Sequence, residues 1–112
     1  MAVLKHALEG IGHAWRTQRN FRIQIILGAL AIAVFALFRA SVLAFAILAL
    51  TIALVLAFEA MNTALESLVD LVSPERHALA KVAKDAAAGA VLIAAAGAVA
   101  VGILLALAFS PH

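Results

Sequence analysis

The sequence predicts an all-α integral-membrane fold: an N-terminal amphipathic surface helix and three transmembrane helices, forming one domain over residues 1–112. Three observations lead there. Apolar residues make up 67% of the chain and charged residues 12%, far from the near-even balance of a soluble domain. Three long apolar runs are joined by short polar connections. The basic residues crowd to one side of those runs. The net charge of +2 is small, so nothing in it points to nucleic acid. No cysteine is present, which leaves no disulfide framework and no thiolate metal site.

Residues 1–20 form the first element. Val3, Leu4, Ala7, Leu8, Ile11, Ala14 and Trp15 recur at helical spacing, with Lys5, His6, Glu9, His13, Arg16 and Arg19 elsewhere on the wheel. That pattern suits a helix lying in the membrane interface, with Trp15 at headgroup depth. Its simplest role is an anchor; the sharper alternative is a lid over the polar residues described below. A cleaved signal peptide over residues 1–40 fits poorly. The basic region is long, and no small-residue cleavage site precedes a polar mature start.

The first span covers residues 21–38. Arg22 and Gln24 lie in its first turn, where a long side chain can reach back to the headgroups. Arg39-Ala40-Ser41 connects it to a second apolar run, Val42 to Phe58, which rises roughly 25 Å. Glu59 therefore emerges near the far edge of a hydrocarbon core of about 30 Å. The helix is expected to continue beyond the membrane, over 42–71 in all, until Ser73-Pro74 ends it. Residues 72–85 read as a polar loop, and 86–109 as the third span. The alanines of that span, with Gly89, Gly97 and Gly102, predict close packing in a bundle interior.

Lys5, Arg16, Arg19 and Arg22 precede the first span, and Arg76, Lys81 and Lys84 lie between the second and third. Only Arg39 falls on the opposite side. The positive-inside rule then makes the N-terminus and the 72–85 loop cytoplasmic and sets the C-terminus outside.

The most informative stretch is Glu59-Ala-Met-Asn62-Thr63-Ala-Leu-Glu66-Ser-Leu-Val-Asp70. At about 100° per residue, Asn62, Glu66 and Asp70 fall roughly 60°, 20° and 20° from Glu59. Thr63 joins this stripe. Carboxylates near lipid are costly and mark binding or chemistry. A helix simply emerging into water accounts for Asp70 and in part for Glu66. It accounts poorly for Glu59 and Asn62, because the apolar run before them is too short to carry them clear of the bilayer.

Lys84-Asp85, taken alone, reads as a topology signal and a helix-start charge. Beside the stripe, the pair adds a cation for phosphate and another carboxylate for metal. His6, His13, His77 and His112 show no metal-ligand spacing. Gly10-Ile-Gly12 follows no strand and lacks the Gly-Lys-Ser/Thr ending of a phosphate loop.

With these residues in hand, the chain resembles the small prokaryotic diacylglycerol kinase family. The matching pieces are Glu59-x-x-Asn62-Thr63-Ala64-Leu65-Glu66-x-x-Val69-Asp70 and Ala83-Lys84-Asp85-x-Ala87-Ala88-Gly89-Ala90-Val91, in that order. The likeness runs from about residue 5 into the third span. Two further segments, Arg19-Asn20-Phe21-Arg22-Ile23 and Ser73 to Lys81, are more similar to the undecaprenol kinase branch.

The resemblance implies a homotrimer in the bacterial inner membrane, a trimeric bundle with active sites between subunits. It implies Mg²⁺ and ATP as requirements and a membrane lipid alcohol as acceptor, undecaprenol first and diacylglycerol second. Glu59 would be the catalytic base and Glu66 a metal ligand. Asn62, Asp70, Lys84 and Asp85 would form the phosphate and metal site, with Glu75 and His77 near the nucleotide base. Where many relatives carry Glu before the Arg-Asn segment, this chain has Gln18. An amide oxygen can still meet metal or nucleotide, without charge. The competing class is a small oligomeric transporter. Such a protein usually sets its carboxylate deep in the membrane, whereas all the acids here gather at one edge.

Overall fold

The computed structural model describes residues 2–109, so His112 lies outside the described residues. Four helices account for nearly all of them: α1 (Ala2–Thr17), α2 (Arg19–Leu37), α3 (Val42–Val72) and α4 (Ala78–Phe109). The last three are each long and apolar enough to cross a membrane.

Gln18 alone separates α1 from α2. Its backbone is extended, at φ −112° and ψ 104°, while its N–H still bonds to the Ala14 carbonyl at 2.8 Å. Arg22 reaches back to the end of α1. Its Nη1 donates to the carbonyls of Trp15 at 2.8 Å and Arg16 at 3.3 Å. Those carbonyls would otherwise be left open at the end of α1. Ala14 is the buried contact of α1, and Val3, Leu4, Leu8, Ile11 and Trp15 stay exposed.

Between α2 and α3 the chain reverses through a Schellman turn. The Ala40 N–H bonds to Phe35 O at 3.0 Å and the Arg39 N–H to Ala36 O at 3.1 Å. Arg39 takes the left-handed conformation, φ 53°, at the position glycine usually fills. Ser41 then caps α3, its hydroxyl accepting the Ala44 N–H at 3.1 Å.

The central element is α3. It touches α1, α2 and α4, while α2 and α4 pack on it and not on one another. With 31 residues it rises about 46 Å, well beyond a hydrocarbon core of about 30 Å. Its buried residues are Ala44, Leu48, Val55, Glu59 and Thr63, all on one side of the helix. Opposite them α2 buries Phe21, Gly28 and Phe35 at seven-residue spacing.

At Gly28 the backbone of α2 lies directly against Ile52 of α3. A Cβ there would stand 2.9 Å from Ile52 Cγ2, below van der Waals contact. Gly28→Ala is therefore expected to destabilise the α2–α3 pair by about 1–3 kcal/mol, the usual cost of overpacking. Unfolding in detergent would measure it, and Ile52→Ala in the same chain should restore part of the loss. No loss in the single variant would mean that the helices separate freely at this point.

One expectation about the second half needs correction. The connection after α3 is residues 73–77, not 72–85, because α4 begins at Ala78. The charges at Lys81, Lys84 and Asp85 do not interrupt the helix. They sit among strong helix-forming alanines, and Lys81 bonds Asp85 across one turn at 2.6 Å. Within a single chain most of α4 is open. Ala87 is the one buried position among the described residues of α4, and a Cβ at Gly89, Gly97 or Gly102 would meet nothing within 4 Å. The interior role within one chain belongs to α3.

Candidate active site

The buried face of α3 changes character at Glu59. Below it lie Ala44, Leu48 and Val55; beyond it come Asn62, Thr63 and Glu66 on the same side. Glu59 is only 6% exposed. Its carboxylate makes no hydrogen bond or ion pair with another described residue. The neighbouring Thr63 hydroxyl is committed elsewhere, donating to the Glu59 backbone carbonyl at 3.1 Å. A sheltered carboxylate without a donor is poorly stabilised as an anion, which makes it ready to accept a proton.

One turn further on, Asn62 Nδ2 donates to Glu66 Oε1 at 3.3 Å. That bond fixes the amide so that Asn62 Oδ1 is buried with no donor. A buried acceptor left unpaired beside a carboxylate is a set of hard oxygen ligands short of a cation. Among the described residues no group of three or more His, Cys, Asp or Glu comes together to hold a metal. The pair therefore fits Mg²⁺, which takes one or two protein ligands together with phosphate oxygens and water, better than an ion caged by protein alone. Gln18, half-buried at the α1–α2 break, makes no hydrogen bond to Glu59, Asn62 or Glu66.

Asp70, roughly 16 Å along α3 from Glu59, opens a different environment. The α3–α4 turn and the first turns of α4 enclose a cleft of about 580 Å³. Of the predicted site residues, Asp70, Glu75, His77, Lys84 and Asp85 line it together; Glu59, Asn62 and Glu66 do not. Lys84 Nζ pairs with Asp70 Oδ1 at 2.5 Å, joining α4 to α3, and Lys81 Nζ pairs with Asp85 Oδ2 at 2.6 Å. Both lysines precede the apolar stretch 86–109. The hydrogen bond each gives to its carboxylate holds its ammonium above the ordinary lysine range, so both are fully charged at neutral pH.

His77 begins α4. Its Nδ1 accepts the Leu79 N–H at 3.1 Å, so the ring is in the tautomer that carries its proton on Nε2. Ser73 Oγ donates to Glu75 O at 3.1 Å and stiffens the other side of the turn.

Two features went unmarked in the sequence. Arg76 lines the cleft, though its position suggested only a topology signal. A second, apolar hollow of about 260 Å³ lies where α2 and α4 stand apart over α3. Gly28, Phe35, Leu48, Thr51, Val55 and Gly102 are among its walls. Val55 is one helical turn from Glu59, so this hollow and the carboxylate share one face of α3.

The match with known proteins decides the family. Residues 5–106 fit the prokaryotic diacylglycerol kinase description. The chain belongs to the prokaryotic diacylglycerol kinase family. A diacylglycerol kinase of Synechocystis sp. is 51% identical over 99 residues, covering 88% of this chain and 57% of that protein. The undecaprenol kinase of Bacillus subtilis is 38% identical over 100 residues, covering 89% of this chain and 81% of that one. A diacylglycerol kinase of Haemophilus influenzae is 31% identical over 90 residues, covering 80% and 76%. The chain thus spans little more than half the length of its Synechocystis relative. Its family likeness covers α1 to α4 and takes in every predicted site residue.

Proposed function

We propose that this chain transfers the γ-phosphoryl group of ATP to the hydroxyl of a membrane lipid, undecaprenol, at the cytoplasmic face of the bacterial inner membrane. One observation carries this reading. A single face of α3 runs from an apolar hollow, past the buried Glu59, to a polar cleft. A lipid kinase needs those three zones in that order: a place for a tail, a base at the depth of the alcohol, and a water-facing place for a nucleotide.

The tail would lie along the hollow between α2 and α4, bringing the hydroxyl to Glu59. The Glu59 carboxylate takes the hydroxyl proton as the oxygen attacks the γ-phosphorus; the bond to the β-phosphate oxygen breaks and ADP leaves. Magnesium, when bound, neutralises charge on the phosphate oxygens. Glu66 and Asn62 Oδ1 would hold it, with Gln18 a neutral further ligand. Lys84, leaving Asp70, balances charge developing during transfer, and Asp85 and Asp70 complete the polar wall. Glu75 and His77, on the turn that lines the cleft, would meet the nucleotide base.

A homotrimer with sites between subunits is part of the same proposal. The open glycines of α4 supply a surface on which neighbouring copies can pack closely, and neighbours would add ligands to the sparse metal pair. The exposed apolar residues of α1 suit the interface of the bilayer.

The 73–81 segment favours undecaprenol, by its likeness to that branch of the family. The 51% identical relative carries the name diacylglycerol kinase, which makes diacylglycerol the second reading. Mixed micelles offering both lipids, with labelled ATP and Mg²⁺, test the choice. Label passing mainly to undecaprenol is the expected outcome. Preference for diacylglycerol would keep the mechanism and change the substrate, whereas no transfer to either by folded protein would overturn the kinase reading.

A further inference from the structure

The hollow between α2 and α4 has apolar walls except at Gln24 and Thr51. Thr51 is committed, its hydroxyl donating to the Ile47 carbonyl at 2.7 Å. Gln24 is half-buried, and its amide makes no hydrogen bond with another described residue. An unpaired amide inside a membrane span is costly and points to a polar partner that a ligand brings.

The depth of that amide follows from the packing. A tight turn joins α2 to α3, so the two run antiparallel, and Gly28 is level with Ile52. Four residues back along α2 and four forward along α3 set Gln24 opposite Leu56, about one helical turn short of Glu59. Side chains lean towards the N-terminus of their own helix, so Gln24 leans towards the level of Glu59. A lipid with its hydroxyl at Glu59 and its tail in the hollow passes Gln24 with the atoms next to that hydroxyl.

We infer that Gln24 reads the acceptor lipid: its Nε2 donates to an ester carbonyl beside the hydroxyl and so admits a diacylglycerol as a second acceptor next to undecaprenol. The inference rests on the kinase reading above and adds a residue that it does not use. In a diacylglycerol with a free terminal hydroxyl, an ester stands on the neighbouring carbon. Its carbonyl therefore lies a few bonds deeper than the reacting oxygen, which is the step from Glu59 to Gln24. A polyprenol has only hydrocarbon there and leaves the amide unpaired. A polar wall group separates lipids that differ by one acceptor, whereas an apolar wall separates them poorly. Gln24 touches the lipid away from the reacting atoms, so it sets specificity and takes no part in proton or phosphoryl transfer. The bland alternative is an amide hydrated at the mouth of the hollow and indifferent to the lipid.

A matched pair of lipids tests this: a diacylglycerol and its dialkyl ether analogue of the same chain length, which keeps the hydroxyl and loses both carbonyls. Each is offered to the protein in mixed micelles with labelled ATP and Mg²⁺, beside undecaprenol. Wild type is expected to use the ester with kcat/KM about fivefold to tenfold above the ether, the worth of one hydrogen bond. Gln24→Met keeps the length of the side chain and removes its polar atoms. In that variant the ratio should fall to about one, through loss on the ester alone, and kcat/KM for undecaprenol should rise about twofold as the unpaired amide is lost. Gln24→Leu should repeat both changes, with thermal unfolding showing that each variant is folded.

A wild-type ratio near one would overturn the inference, as would a preference for ester that survives in Gln24→Met. So would wild-type protein that phosphorylates undecaprenol and not diacylglycerol. All three results leave the kinase reading standing. Folded wild-type protein that transfers phosphate to none of the three lipids would overturn that reading and the inference with it.

Discussion

Glu59→Gln is expected to lower kcat for lipid phosphorylation by about a thousandfold, within the span that a positioned general base contributes. The substitution keeps size and shape and removes only the ability to accept a proton. Binding of ATP should survive, because Glu59 lies outside the cleft lined by Asp70, Lys84 and the α3–α4 turn. Folding should survive too, since no hydrogen bond or ion pair to the Glu59 carboxylate has to be replaced. Labelled phosphate transfer read beside ATP binding tests the assignment. Turnover retained with binding lost would move Glu59 out of the base role and into the nucleotide site.

Glu66→Gln should raise the Mg²⁺ concentration needed for half-maximal transfer by at least about tenfold. It is the charged member of a pair whose other member, Asn62, presents a buried oxygen with no donor. A neutral amide in its place leaves the site without charge unless the nucleotide's phosphates supply all of it. Gln18 cannot compensate, being neutral itself. Titration of activity with Mg²⁺ at several fixed ATP levels separates metal affinity from the formation of Mg-ATP. An unchanged requirement would remove Glu66 from the metal site, and a loss of activity that no concentration of Mg²⁺ restores would point to phosphate positioning instead.

Much of this architecture could be read without coordinates. Three apolar runs, a helix stop at Ser73-Pro74 and a polar stripe from Glu59 to Asp70 are local patterns, and helical periodicity converts them directly into faces. The start of α4 is not legible in the sequence, because a charged segment looks like a loop, whereas Lys81 and Asp85 one turn apart support a helix. In the sequence, Arg22 and Arg76 are both basic residues beside apolar runs. Their contrasting situations, one capping α1 and one unpaired in a cleft, depend on what stands near them in space.

Composition and periodicity by themselves determined that three long helices are apolar enough to cross a membrane and which residues share a face with Glu59, because each follows from the chain's own pitch and polarity. Only the tertiary structure decided that Gly28 lies against Ile52, that α3 and not α4 is central, that Lys84 is bound to Asp70, and that Asn62 leaves an oxygen unpaired. Each of these depends on two segments meeting at a particular depth and rotation. Turn geometry and packing set that meeting, and neither is written in the period of a single helix.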